Sequence, residues 1–159
     1  MSEYESVVRA ARAEDLARIV ELVQEHVAYK KSHPRAPGLA ERLGAALFED
    51  GARVWVLLAE TPRGEVVGYA ACSEEFSFWD GRHYLHMDCL YLAEGARGHG
   101  LGAALMDAVT DLARERGLGH VEWQTPDWNE GAIRFYDRLG AAGRPKQRYS
   151  LAVRPPANG

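Results

Sequence analysis

The stretch "GARGHGLGAAL", residues 95–105, sets glycines at 98, 100 and 102 directly behind Arg97. Before it, "YLHMDCLYL" (84–92) is apolar on both faces, which marks a strand inside a sheet. After it, "GLGAALMDAVTDLARERG" (100–117) carries Leu101, Leu105, Ala108, Val109 and Leu112 on one side at helical spacing, and Gly117 stops it. The glycines therefore stand where a strand passes into a helix. The first N–H groups of a helix lack partners and carry a partial positive charge. Glycine has no Cβ to hold a bulky anion away from that backbone. Gly98, Gly100 and Gly102, with Arg97 at the rim, thus read as an anion cradle suited to a pyrophosphate.

Outward from this loop, the elements alternate. "SVVRAA" (6–11) is a short strand, and 13–31 is a helix with Leu16, Ile19, Val20, Val23 and Val27 on its apolar face. "SHPRAPG" breaks it, and "LAERLGAALF" is a second, shorter helix. Strands at 53–60 and 66–78 join through "TPRGE". "WDGRH" turns the chain into 84–92, and "HVEWQT" (120–125) is the next strand. "NEGAIRFYDRLG" (129–140) is a helix with Asn129 at its cap position and Gly140 after its end. "QRYSLAV" (147–153) is expected to be a last strand, and 155–159 a loose tail. A βαβ unit (84–125) behind hairpin-like strands gives a single α/β domain over 1–154 with a mixed sheet.

Composition narrows the function. The chain has 159 residues, a formal net charge of −4 and no basic stripe, which argues against nucleic acid as a partner. No apolar run reaches the roughly 18 residues of a membrane span, and the N-terminus does not read as a signal peptide. Cys72 and Cys89 form no CxxC pair and read as free thiols. A cytoplasmic protein with no metal is expected.

Three phosphate loops compete for the glycines. The Walker pattern G-x-x-x-x-G-K-[ST] is absent. The dinucleotide fingerprint G-x-G-x-x-A is literally present at Gly98, Gly100 and Ala103, with Glu122 about 20 residues on, which leaves a nicotinamide-dependent oxidoreductase open. Against it, "AEGAR" separates the strand from the first glycine. The third pattern, R/Q-x-x-G-x-G/A, is met by Arg97, Gly100 and Gly102. A second signature follows one helix and one strand later: N-x-x-A-x-x-F-Y-x-x-x-G, met by Asn129, Ala132, Phe135, Tyr136 and Gly140. Together these resemble the GNAT superfamily of acetyl-CoA-dependent N-acetyltransferases, over roughly residues 53–142. "HMDCLYL" and "VEWQTPDWN" resemble its spermidine/spermine and small histone/polyamine branch.

The resemblance implies that the strands 84–92 and 120–125 splay apart, between flanking helices, to admit an acyl-pantetheine. It implies that Leu90, Tyr91 and Leu92 offer backbone N–H groups to the thioester oxygen. It further implies that Arg97, Gly98, His99, Gly100, Leu101, Gly102 and Ala103 hold the pyrophosphate of acetyl-CoA. Asn129, Ala132, Phe135 and Tyr136 complete the coenzyme side. Tyr136 is then the acid that protonates the leaving thiolate, although its spacing beside Ile133 and Leu139 also suits a core aromatic. Asp88 is the base or the amine-binding carboxylate, with His86 and Glu122 as alternatives. Glu74, Glu75 and Trp79 in "SEEFSFWDG" suit a cationic amine by charge and ring face. The acceptor is expected to be a primary amine, and residues 30–50 and 73–83 to select it. The resemblance admits a homodimer, and a CoA-binding sensor without turnover is a further reading.

Overall fold

The computed structural model describes residues 7–157. In chain order its elements are β1 (Val7–Ala10), α1 (Leu16–Tyr29), α2 (Leu39–Phe48), β2 (Val54–Glu60), β3 (Val66–Ser77), β4 (Arg82–Leu92), α3 (Leu101–Glu115), β5 (Val121–Trp123) and α4 (Glu130–Arg138). Single 3-10 turns stand at Ala13–Asp15 and Glu94–Ala96. The chain forms two compact units, Met1–Gln124 and Thr125–Gly159. The first holds the sheet and α1 to α3. The second holds α4.

The expected strand at 147–153 does not form. Its alternating Tyr149, Leu151 and Val153 are almost fully exposed. A strand is held by the ladder of a neighbour and by packing on its face, and alternation without either is not enough. The expected tail at 155–159 ends beyond the described residues.

The sheet runs β1-β2-β3-β4-β5, antiparallel throughout except for the parallel pair β4–β5. This mixed order is not the doubly wound parallel sheet of a dinucleotide fold. The strand-to-glycine spacing disagrees as well, because the 3-10 turn at Glu94–Ala96 separates β4 from Gly98. The oxidoreductase reading of the glycines is therefore set aside.

β2 is buried on both faces. Val56 and Leu58 join Ile19 and Leu22 of α1, with Val66, Tyr69 and Tyr91, in one cluster. Leu57 and Ala59, the alternate residues of β2, are buried as well. The buried stripe of α3 is Leu101, Leu105, Met106, Val109 and Ala113. At its start Leu101 packs with Val67 and Ala96.

An ion cluster ties β1 to the start of α1. The Arg9 guanidinium donates to both Asp15 oxygens at 2.8 and 2.9 Å, and its Nε donates to Glu60 at 2.6 Å. The Arg9 hydrogen bonds hold Asp15 down to about 2, well below the usual carboxylate range. A carboxylate lowered by folding adds stability above its unfolded value, and that stability is lost as pH falls toward the folded value. Acid unfolding of the wild type should therefore steepen between pH about 4 and 2. Chemical denaturation of Asp15→Asn across that window should show lower stability at neutral pH and a flatter acid dependence.

Two irregularities in β4 shape the site. First, Cys72 pairs with Met87 and Ala71 with Cys89, so Asp88 is an extra residue bulged out of the β3–β4 ladder. The bulge exchanges the faces of β4. Met87 shares a face with Cys72, whereas Cys89 and Tyr91 pack with the α1 cluster. Second, β4 and β5 pair only at Leu85–Val121, His86–Glu122 and Met87–Trp123. From Asp88 onward, β4 has no strand neighbour on that flank among the described residues.

Candidate active site

The glycine loop is built for close approach to its backbone. Gly98 and Gly100 have φ of 81° and 80°, the left-handed region that other residues enter only with strain. A Cβ placed on either would meet nothing within 4 Å, so both face open space. Gly100 caps the 15-residue α3, and the first internal bond of that helix is Ala104 N–H to Gly100 O at 3.1 Å. The N–H groups of Leu101, Gly102 and Ala103 precede it in the first turn, where no helical carbonyl can accept them. Exposed His99 lies between these two left-handed glycines. The donors, the bare backbone and the helix dipole fit a pyrophosphate.

Arg97 is placed by aromatic faces. Its Nε donates to Leu92 O at 3.0 Å. Its guanidinium carbon lies 4.4 Å from the Tyr29 ring centroid and 5.7 Å from that of Tyr91. The cation is thus fixed between α1 and β4, beside the cradle.

The diverging flank of β4 supplies the next part. Ala93 donates to Val67 O of β3 at 2.8 Å. Strand alternation then turns the N–H and C=O of Leu92 and Leu90 to the opposite flank, where β5 has ended. The bond from Arg97 to Leu92 O lies on that side. Tyr91 differs from its two neighbours: its side chain is buried and its backbone faces β3.

The three base candidates are brought together. Asp88 sits at the bulge, 66% exposed, with its Oδ1 3.7 Å from His86 Nε2. Glu122 is the β5 partner of His86 in the register, and its Oε2 lies 3.6 Å from His120 Nε2. The hairpin acids, by contrast, separate. Glu75 pairs with Tyr84, whose hydroxyl donates to it at 2.8 Å, on the face that carries His86. Burial and then that bond push the Tyr84 phenol up to about 12. Glu74 is on the other face, 3.8 Å from Arg53. Trp79 stands at the hairpin tip, 99% exposed, outside this grouping.

In the second unit, Asn129 caps α4 as its sequence position predicts, with Oδ1 accepting from Ala132 N–H at 3.3 Å. Phe135 and Tyr136 lie ring to ring at 5.3 Å, tilted by 53°, and Ala132 is half-buried. Tyr136 is also half-buried, and burial raises its phenol above the ordinary range.

The sequence profile of the Acetyltransferase (GNAT) family matches residues 16–141. The chain belongs to the GNAT family. Its relatives include a thialysine N-epsilon-acetyltransferase of Bos taurus, 29% identical over 142 residues, spanning 85% of this chain and 83% of that protein. The protein of the same name from Caenorhabditis elegans is 30% identical over 123 residues, 77% of this chain and 74% of its own. Among solved structures, an aminoglycoside acetyltransferase from an uncultured soil metagenomic sample superposes with a TM-score of 0.80 at 16% identity, covering 94% of this chain and 97% of that one. That likeness shows the fold. The recognition of a GNAT acetyltransferase from the glycine loop and the Asn129–Gly140 signature is borne out.

This GNAT chain also holds polar groups beside Asp88 that pattern reading missed. His26 Nδ1 lies 2.8 Å from Tyr69 Oη, and its ring stacks on Tyr91 at 4.8 Å. Cys89 packs against the cluster that holds Tyr69 and Tyr91. Its thiol donates to Asp88 Oδ2 at 3.6 Å. One signal was present in the sequence: His26 lies three and seven residues from Val23 and Ile19, on the apolar stripe of its helix. No cluster of His, Cys, Asp and Glu among the described residues has metal-binding geometry.

Proposed function

We propose that this chain transfers an acetyl group from acetyl-CoA to a primary amine, either of a small cationic molecule or of a lysine side chain. The observation that carries the reading is the backbone of the first unit. A bare helix N-terminus with free donors follows, after one 3-10 turn, a strand whose neighbour β5 ends at Trp123. Leu101, Gly102 and Ala103, with Arg97, would hold the pyrophosphate. When bound, acetyl-CoA supplies the acetyl group as an activated thioester. The Leu90 and Leu92 N–H groups face the flank where a developing oxyanion would need donors. Direct transfer places amine and thioester together, so orientation replaces a covalent enzyme step.

An ammonium must lose its proton before it can attack. Asp88 is the residue we assign to that role, with His86 and Glu122 beside it and Glu75 on the same face for a second positive charge. Tyr136 is the assigned acid. Burial keeps its phenol protonated at neutral pH, ready for the leaving thiolate. The printed names of the relatives, including a D-amino-acid N-acetyltransferase of Saccharomyces cerevisiae, support an amine acceptor. The same reading makes residues 1–154 one functional domain and the protein a cytoplasmic homodimer.

Parallel thermal melts with acetyl-CoA, CoA, NADH and ATP test the donor. Acetyl-CoA and CoA should raise the melting temperature and NADH should not; a shift with NADH alone removes the reading. An acetylation assay over thialysine, polyamines, amino acids and aminoglycosides then finds the acceptor. With that amine, Asp88→Asn should lower kcat/KM at least tenfold and flatten its rise with pH. An unchanged pH profile would transfer the role to His86 or Glu122.

A further inference from the structure

We infer that Tyr29 is a positioning residue for coenzyme binding: its ring holds the Arg97 guanidinium beside the glycine cradle without neutralising it. The inference rests on the proposed binding of the CoA pyrophosphate by that cradle and Arg97.

Tyr29 is the last residue of α1 and is 48% exposed. It lies outside the core cluster that holds Tyr69 and Tyr91. What its ring meets is Arg97, whose guanidinium carbon stands 4.4 Å from the ring centroid. Its ring neighbour is Tyr91, at 6.3 Å and tilted by 52°. Tyr91 is buried, its centroid is 5.7 Å from the same guanidinium carbon, and His26 stacks on it at 4.8 Å. Tyr91 is thus anchored in the core, and Tyr29 is the part of the clamp that the core does not use.

Contacts from two elements fix one side chain. β4 offers the Leu92 carbonyl, which accepts from Arg97 Nε at 3.0 Å, and the Tyr91 ring. α1 offers the Tyr29 ring. An unheld arginine would lose its rotamer freedom when a phosphate arrives, and binding would be weaker by that cost. Here the freedom is already lost on folding.

The kind of contact matters as much as the number. A carboxylate could also hold the guanidinium, but it would cancel the charge and occupy the N–H fork that grips a phosphate. None of the ion pairs among the described residues involves Arg97. An aromatic face attracts a cation through its quadrupole and carries no net charge. Arg97 is therefore held in place and still fully charged, directly before Gly98.

Calorimetric titration with CoA tests this and needs no acceptor amine. Tyr29→Leu keeps an apolar residue that favours helix, and should weaken CoA binding about three- to tenfold, the scale of one lost cation–ring contact. Tyr29→Phe keeps the ring face and should bind CoA within about twofold of the wild type. Arg97→Ala should weaken binding by more. In the double variant, Tyr29→Leu should add nothing to Arg97→Ala, because it acts through the arginine. Melting curves confirm that each variant is folded. An unchanged dissociation constant in Tyr29→Leu, with Arg97→Ala weakened, overturns the role of Tyr29 alone. A Tyr29→Leu loss that persists without Arg97 overturns it too, since the ring would then touch the coenzyme itself or act structurally. So does a Tyr29→Phe variant as weak as Tyr29→Leu, which would put the effect in the hydroxyl. Wild-type binding in Arg97→Ala removes Arg97 from the cradle and takes the inference with it, and a wild type that binds no CoA removes the proposed function itself.

Discussion

Gly100→Val abolishes the melting shift produced by CoA while the protein still unfolds cooperatively. Two independent terms give this outcome. The backbone at Gly100 has φ of 80°, a region where a β-branched side chain is a steric outlier. Leaving that region would swing the first N–H groups of α3 out of alignment. Keeping it would aim an isopropyl group into the space that is now open to 4 Å around the ideal Cβ. Either response removes the cradle. The fold is affected less, because the core contacts of α3 come from Leu101, Leu105 and Val109 and not from the cap. A ligand at about 100 times its dissociation constant adds roughly 2.7 kcal/mol, a rise of roughly 5–11 °C for a chain of this length. The wild type should show that rise and the variant none. A full CoA shift in Gly100→Val would place the coenzyme elsewhere. Gly100→Ala, with a single carbon in the same space, should keep a reduced shift.

The second large effect is on turnover. Tyr136→Phe removes one oxygen from a half-buried ring on α4. The rest of the ring keeps its packing beside Phe135. General acid catalysis contributes about 10²–10⁴-fold, so kcat should fall at least tenfold. The CoA melting shift should persist, because no part of the glycine cradle has changed. A fall in CoA affinity with kcat unchanged would make Tyr136 a binding residue instead. Unchanged turnover would leave it a packing residue, as its spacing on the helix also allows.

The parts of the fold that follow from local chemistry were legible in the sequence. The α3 boundaries came from glycine at either end, and the hairpin turns from "TPRGE" and "WDGRH". The glycine loop was readable because conformation and chemistry ask for the same residue there. Other features depend on neighbours. The strand expected at 147–153 has the right alternation, yet nothing in its own residues supplies the second strand it would need. The bulge at Asp88 left no mark, because 84–92 is apolar on both faces and a one-residue slip changes no pattern. That slip hid the placement of Cys89 with Tyr91 on the face packed against α1. Likewise, Glu74 and Glu75 looked like one acidic pair in the sequence, although adjacent strand residues point apart.

The proposed coenzyme site and the proposed amine site of this protein are made of different material. The cradle and the flank of β4 are peptide groups, held by the diverging strands and the start of α3. A substitution cannot delete an amide; it can only bend or block it. The face beyond the bulge is made of side chains: Asp88, His86, Glu75 and Glu122. Those can be exchanged one codon at a time without disturbing what lies beneath. A library confined to this face should therefore yield folded proteins that still bind the coenzyme while their amine preference wanders. The same number of changes around Gly98 and Gly100 should yield mostly inactive ones. Mutational tolerance would then divide along the line where β4 and β5 part.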